Sequence, residues 1–113
     1  MKSTIQWADF EKIEMRVGTI IKVVVFEKAR NPAFQVWVDF GEIIGIKKTS
    51  AQITKRYTPE SLLHQQIIGI LNFPVKQIAN FQSEFLLLGA TPTKDDVVII
   101  APEAKVENGT LIG

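Results

Sequence analysis

The stretch TPESLLHQQIIGILNF, Thr58 to Phe73, contains the change of structural period that decides the fold. Thr58 is placed to cap a helix N-terminus. Pro59 suits the first helical position, where no backbone N–H is needed. The segment QQIIGILNF that follows is apolar at nearly every position, as in a strand buried on both faces. A short helix feeding into such a strand predicts further strands on either side, and both flanks supply them.

Upstream, WADFEKIEM carries Trp7, Phe10 and Ile13 at the spacing of a short amphipathic helix. MRVGTIIKVVVF (Met15 to Phe26) is rich in β-branched residues, and Gly18 inside it marks an expected bulge or bend. EKARNPA is a turn. FQVWVDF alternates, with Phe34, Val36, Val38 and Phe40 on one face and Gln35, Trp37 and Asp39 on the other. Trp37 therefore falls on the polar face and needs cover from a loop, a ligand or another subunit. EIIGIKKT reads as the next strand. Downstream, EFLLLGA and VVIIAP read as strands separated by a turn at TPTKDD. The order is three strands, a short helix, then further strands. It suggests a small all-β barrel or sandwich, and the order is that of a five-stranded OB-fold barrel with short helices and terminal extensions, built as a single domain over residues 1–113.

Composition narrows the function. Of 113 residues, 46% are hydrophobic and 22% charged, which supports a packed core and excludes a disordered chain. There is no cysteine, hence no disulfide, thiolate nucleophile or thiolate metal site. No apolar run reaches the roughly 20 residues of a membrane span. The N-terminus lacks the apolar core of a signal peptide, so a cytoplasmic location without membrane insertion is expected. His64 is the only histidine and lies at the end of the predicted helix with no acid close in sequence. Asp95 and Asp96 fall in a turn, and no cluster of metal ligands appears. A non-enzymatic protein without metal or cofactor is expected.

Charge is uneven although the net value is +1. Residues 47–77 hold Lys47, Lys48, Lys55, Arg56 and Lys76 against Glu60 alone, while the remainder of the chain is net acidic. Such asymmetry suits a polyanion.

The segments DFEKIEMRVGTIIKV, VDFG, GIKKTSAQITKRYTPESL, ILNFPVKQIANFQSEFLLLG and the closing NGTLIG together resemble the CsaA family. These are small homodimeric, export-related chaperones of the tRNA-binding-domain superfamily, and the likeness covers nearly the whole chain. The superfamily pattern here resembles Asn-Leu-Lys-Pro-Arg-Lys-Leu, four variable residues, then Ser-Glu-Gly-Met. Asn72, Lys76, Ser83 and Glu84 match it by position and type. Gln77 stands where a second cation is usual, Pro74 comes one residue early, and Phe85–Leu86 replaces Gly-Met.

The resemblance implies an OB-fold homodimer with tRNA as the superfamily ligand. Unfolded or precursor polypeptides and the export machinery are the family partners. The alternative is a dedicated structure-specific tRNA-binding protein without a chaperone role. For a nucleic acid, Lys76 supplies a point charge, and Asn72 and Ser83 supply compact donors and acceptors. Lys47, Lys48, Lys55 and Arg56 are expected to border the same groove as an electrostatic funnel. Glu84 completes the matched set, either at the ligand or orienting Lys76 or Arg56. Phe73 reads as the buried end of a strand, and Phe81 as either core or a base-stacking platform. For a polypeptide, Phe34, Trp37, Phe85 and Leu86 are the expected apolar surface. Strand alternation makes one of Phe85 and Leu86 core and leaves open which. The terminal residues Trp7, Phe10, Ile13, Val106, Leu111 and Ile112 are expected to pack across a two-fold axis.

Overall fold

The computed structural model describes all residues, Met1–Gly113. Helix α1 (Trp7–Glu11) leads into β1 (Met15–Val25), β2 (Phe34–Asp39) and β3 (Ile46–Ala51). Helix α2 (Pro59–Leu62) precedes β4 (Gln66–Ile70). Then come β5 (Lys76–Ile78), β6 (Phe81–Ser83), β7 (Leu86–Leu87), β8 (Gly89–Thr93) and β9 (Asp96–Ile99). Five strands form an antiparallel sheet in the order β3-β2-β1-β4-β7, while β5–β6 and β8–β9 are separate hairpins. The sheet nearly closes into a barrel, because its two ends meet. Glu84 N donates to Lys48 O at 2.8 Å, and Thr49 Oγ1 donates to Phe85 O at 2.6 Å. With α2 between the third and fourth barrel strands, this is the expected OB-fold order.

The alternation read in β2 holds. Phe34, Val36, Val38 and Phe40 are buried, and Gln35, Trp37 and Asp39 are half-buried. The inward set joins Ile20, Ile53, Leu62, Ile67 and Phe85 in the barrel core. Helix α2 has four residues, far too short to persist alone. Thr58 Oγ1 accepts from Ser61 N at 3.1 Å, Ser61 Oγ accepts from Thr58 N at 2.9 Å, and Leu62 is fully buried. Burying one such leucine contributes about 1.5–3 kcal/mol. The helix is thus a capped turn pinned by one apolar side chain.

Three expectations shift. The bulge in β1 falls between Ile20 and Lys22, not at Gly18. Gly18 serves close packing instead, since a β-carbon there would lie 2.8 Å from Phe40 Cδ1 and would also collide with Val38 Cγ1. The strand expected over EIIGIKKT starts only at Ile46, because Gly41 (φ 94°) and Gly45 (φ 83°) take the intervening residues through a turn. The segment EFLLLGA divides. Only Leu86–Leu87 joins the barrel, and Gly89 opens the β8–β9 hairpin.

The termini are tied to the barrel by polar contacts. The C-terminal tail runs beside the start of β1, with Val17 N donating to Thr110 O at 2.9 Å and Ile112 N to Met15 O at 3.0 Å. The Gln66 amide pairs with the Val106 backbone in both directions, at 2.7 and 3.1 Å.

Adding a methyl at Gly18 forces the Phe40 ring or Val38 to move. Gly18→Ala is expected to lower stability by about 1–3 kcal/mol, as overpacking does. Gly45→Ala meets no steric neighbour and incurs only the cost of its positive φ. Denaturant midpoints of the two variants test this, and a Gly18→Ala loss below about 1 kcal/mol would remove the packing role from Gly18.

Candidate functional site

The polar, proline-containing stretch between β4 and β7 is not an open loop. Residues 76–83 form the β5–β6 hairpin, with Lys76 opposite Ser83 and Ile78 opposite Phe81, turning at Ala79 (φ 51°) and Asn80. The hairpin lies against β3 on the outer face of the barrel. Phe81 anchors it. Its ring meets Phe26 edge-on at 5.4 Å and Trp37 edge-on at 5.8 Å, and it packs with Ala33 in a second small core. The cover that Trp37 needs therefore comes from this chain's own hairpin.

Strand register adds cations to this aromatic group. Trp37 stands opposite Lys22 on β1 and Lys48 on β3. Lys22 Nζ lies 4.6 Å from the Trp37 ring centroid, and Lys48 Nζ lies 5.1 Å from that of Phe81. Lys22, inside the run IIKVVV, carries no signal of this role in sequence.

Beside the hairpin is a cavity of about 410 Å³. Its apolar lining is Phe73, Pro74, Ile78, Phe85 and Leu86, and its polar lining is Thr49, Ser50, Gln52, Ser83 and Lys76. The hydroxyls are fixed. Ser83 Oγ is 2.7 Å from Thr49 Oγ1 and accepts from Ser50 N at 3.0 Å. Phe85 forms the floor, 5% exposed and edge-on to Phe40 at 5.1 Å. Phe73 and Leu86 form the rim, 55% and 49% exposed. Of the Phe85–Leu86 pair, Phe85 is therefore core and Leu86 faces outward. Phe73, expected to end a buried strand, lies outside β4 and is open. Phe81, left open between core and platform, is core. Phe34 is 5% exposed inside the barrel, which takes it out of any surface a polypeptide can reach.

The polar residues of the superfamily pattern separate. Asn72 does not line the cavity. Its Oδ1 accepts from Glu14 N at 2.9 Å and its Nδ2 donates to Lys12 O at 2.6 Å, tying the α1 exit to the end of β4. Glu84 Oε1 accepts from Lys48 N at 3.0 Å, so it fixes the β3 backbone and orients neither Lys76 nor Arg56. Ser83 and Lys76 do line the cavity, and Lys76 forms no ion pair.

The expected single funnel of cations is likewise divided. Lys47 and Lys48 are successive in β3 and point to opposite faces. Lys55 lines a neighbouring cleft. Arg56 makes a two-bond ion pair with Asp96, Nη2 donating to Oδ2 at 2.8 Å. These hydrogen bonds hold the Asp96 carboxyl below its ordinary range against the opposing effect of burial, and they hold the Arg56 guanidinium above its own. The role of Asp96 was invisible in sequence, where it reads as a turn residue.

A nearly closed OB barrel with ordered hydroxyls, an amide and a lysine around an apolar recess defines a ligand-binding protein. His64, at the α2 exit with φ 72°, lines no part of the recess. The chain belongs to the family described as "Putative tRNA binding domain", whose match spans residues 15–111. The structure is similar to that of the chaperone CsaA from Bacillus anthracis, with a TM-score of 0.94, 44% identity, and coverage of 98% of this chain and 100% of that one. It is similar also to the CsaA chaperone protein from Picrophilus torridus, with a TM-score of 0.90, 46% identity, and coverage of 97% and 100%. The resemblance to the CsaA family therefore holds over the whole chain. The methionine–tRNA ligase of Porphyromonas gingivalis is 30% identical over 108 residues, which is 96% of this chain but only 15% of that protein.

The Arg56–Asp96 pair makes a pH prediction. A carboxyl depressed by folding adds stability that is complete above its unfolded pKa, about 3.9, and is lost as pH falls through the lower folded value. Asp96→Asn is expected to melt below the wild type at pH 7, with the gap closing as pH falls below about 3.9. A gap that stayed constant down to pH 2 would show that the pair is not what Asp96 contributes.

Proposed function

We propose that the protein is a CsaA-like, non-enzymatic homodimer that binds tRNA and also holds unfolded or precursor polypeptides, assisting their export from the cytoplasm. In this reading residues 1–113 act as a single tRNA-binding-type OB-fold domain, and the export machinery is a further partner. The observation that carries it is the composite recess. Lys76, Ser83, Ser50 and Gln52 offer charge and hydrogen bonds to a nucleic acid, and the rim residues Phe73 and Leu86 offer apolar contact to a base or a side chain. Lys48 and Lys22 extend the positive charge along the adjoining face. The open rim residues Phe73 and Leu86 favour a polypeptide role over tRNA binding alone. So does the likeness to two CsaA chaperones.

The dimer is supported by exposed apolar residues on segments that converge. Ile5, Trp7 and Ile13 precede β1 and are 63%, 84% and 39% exposed. Leu111 is 55% exposed and bridges to Arg16 at the start of β1. These four exposed residues lie on segments that flank the start of β1, where a second copy would cover them. Sedimentation at micromolar concentration is expected to give twice the monomer mass, and a stable monomer would end this part of the proposal.

The two ligands are expected to separate by variant. Lys76→Ala should weaken binding of tRNA and reduce the magnitude of its salt slope by about one unit. Leu86→Asn should leave that slope intact and weaken binding of an unfolded polypeptide, with little change in melting temperature. Fluorescence titrations at two salt concentrations measure both. Equal losses for both ligands would mean one shared site, and no loss for either would place function elsewhere.

A further inference from the structure

A second cleft lies beside the recess and is larger, about 710 Å³. One wall is the chain after β3, with Gln52, Thr54 and Lys55. The other is the β8–β9 turn, with Lys94 and Asp95, and Asn31 from the β1–β2 loop completes it. Gln52 lines both the cleft and the recess, so the two adjoin across one side chain.

The cleft has the chemistry of an anion site. Lys55 and Lys94 come from separate segments, and neither is ion-paired. Asn31, Thr54 and Gln52 add neutral hydrogen-bond donors. Asp95 is the only carboxylate in the lining, which leaves the cleft with one net positive charge. A second carboxylate, Asp96, lies close enough for Lys55 to act on it, but Arg56 already holds both its oxygens. The ion pair thus removes one competitor for Lys55. It also fixes the walls, because Arg56–Asp96 and the bond from Ile99 N to the Tyr57 hydroxyl, 3.0 Å, join the β8–β9 hairpin to residues 56–57.

We infer that the Lys55–Lys94 cleft is a second subsite that holds phosphodiester groups of a nucleic-acid strand whose neighbouring nucleotide lies in the recess. The inference rests on the tRNA-binding reading above and extends its footprint to the β8–β9 hairpin. A single net charge holds a lone phosphate poorly, but each of the two lysines can meet one phosphate of a polyanion, where each contact releases counterions. Lysine serves here as a mobile point charge, so the site reads backbone and not base.

The test uses the full chain. Tripolyphosphate is titrated into labelled wild-type protein and into Lys55→Ala/Lys94→Ala, following backbone amide shifts. Shifts are expected at Thr54, Lys55, Lys94 and Asp95 in the wild type and in Lys76→Ala, and none at Thr54 and Asp95 in the double variant. With tRNA, the double variant should lose about 1.4–1.8 units of salt slope and bind about 25–60-fold more weakly at 0.1 M salt, the counterion contribution of two phosphates. Unchanged melting temperature shows that the fold survives. Absence of the tripolyphosphate shifts, or unchanged tRNA affinity and slope in the double variant, overturns the inference. So does an acidic peptide moving the same amides while tRNA does not. If wild-type protein ignores tRNA yet shows the tripolyphosphate shifts, the tRNA reading falls and the polyanion cleft stands.

Discussion

The ring of Phe40 lies across two glycines, and the rest of the molecule is arranged around that contact. A β-carbon at Gly18 on β1 or at Gly69 on β4 would lie 2.8 Å from ring atoms of Phe40. Only glycine at both positions lets the ring reach the barrel centre. Once there, Phe40 receives Phe85 edge-on, and Phe85 in turn packs over Gly69. Placing Phe85 brings its carbonyl to Thr49, whose hydroxyl then meets Ser83, whose oxygen caps the Ser50 amide. The recess is therefore the outer end of a chain of contacts that begins in the core. The barrel closes at the same place, since Thr49 and Lys48 are the β3 residues that bond the chain entering β7.

What could be read in the sequence was what depends on short-range periodicity. The two-residue alternation of β2, the Thr58–Pro59 helix start and the doubly buried β4 need only neighbours along the chain to be recognised, and all three hold. What could not be read depends on partners distant in sequence. Asn72 looks like a ligand residue, but its amide bonds reach back to Lys12 and Glu14. Arg56 looks like a free cation until the β8–β9 hairpin brings Asp96 to it. Phe73 and Phe81 look alike in sequence, eight positions apart within one segment. Their fates are opposite because the chain turns at Ala79 and folds Phe81 onto Trp37. The hairpin itself has no signal of the usual kind, since its turn residues are alanine and asparagine without glycine.

The same distinction explains the charges. Composition shows a basic third of the chain, and a polyanion site follows from it only if those cations share a face. Strand alternation sends Lys47 and Lys48 apart, and Asp96 neutralises Arg56. Cations from outside the basic segment lie beside those that remain. Lys22 enters by register beside Trp37, and Lys94 enters from the far hairpin opposite Lys55. Counting charge by segment thus does not tell which cations share a face.

The physical character of the recess bears on how one surface serves two ligand classes in the proposed function. Its fixed parts are the floor and the hydroxyls, held by the core through Phe85 and Thr49. Its rim is Phe73, Leu86 and Lys76, all exposed. A rigid floor with an exposed rim places few demands on ligand shape. In the proposed function, discrimination beyond that of Lys76 and Leu86 would come from what extends past the recess. A nucleic-acid strand that continued past Gln52 would meet Lys55 and Lys94, whereas an apolar polypeptide would gain little there and depend on the rim. Salt weakens the first extension strongly and the second hardly at all. On this account ionic strength, more than any single contact in the recess, sets which ligand the protein prefers.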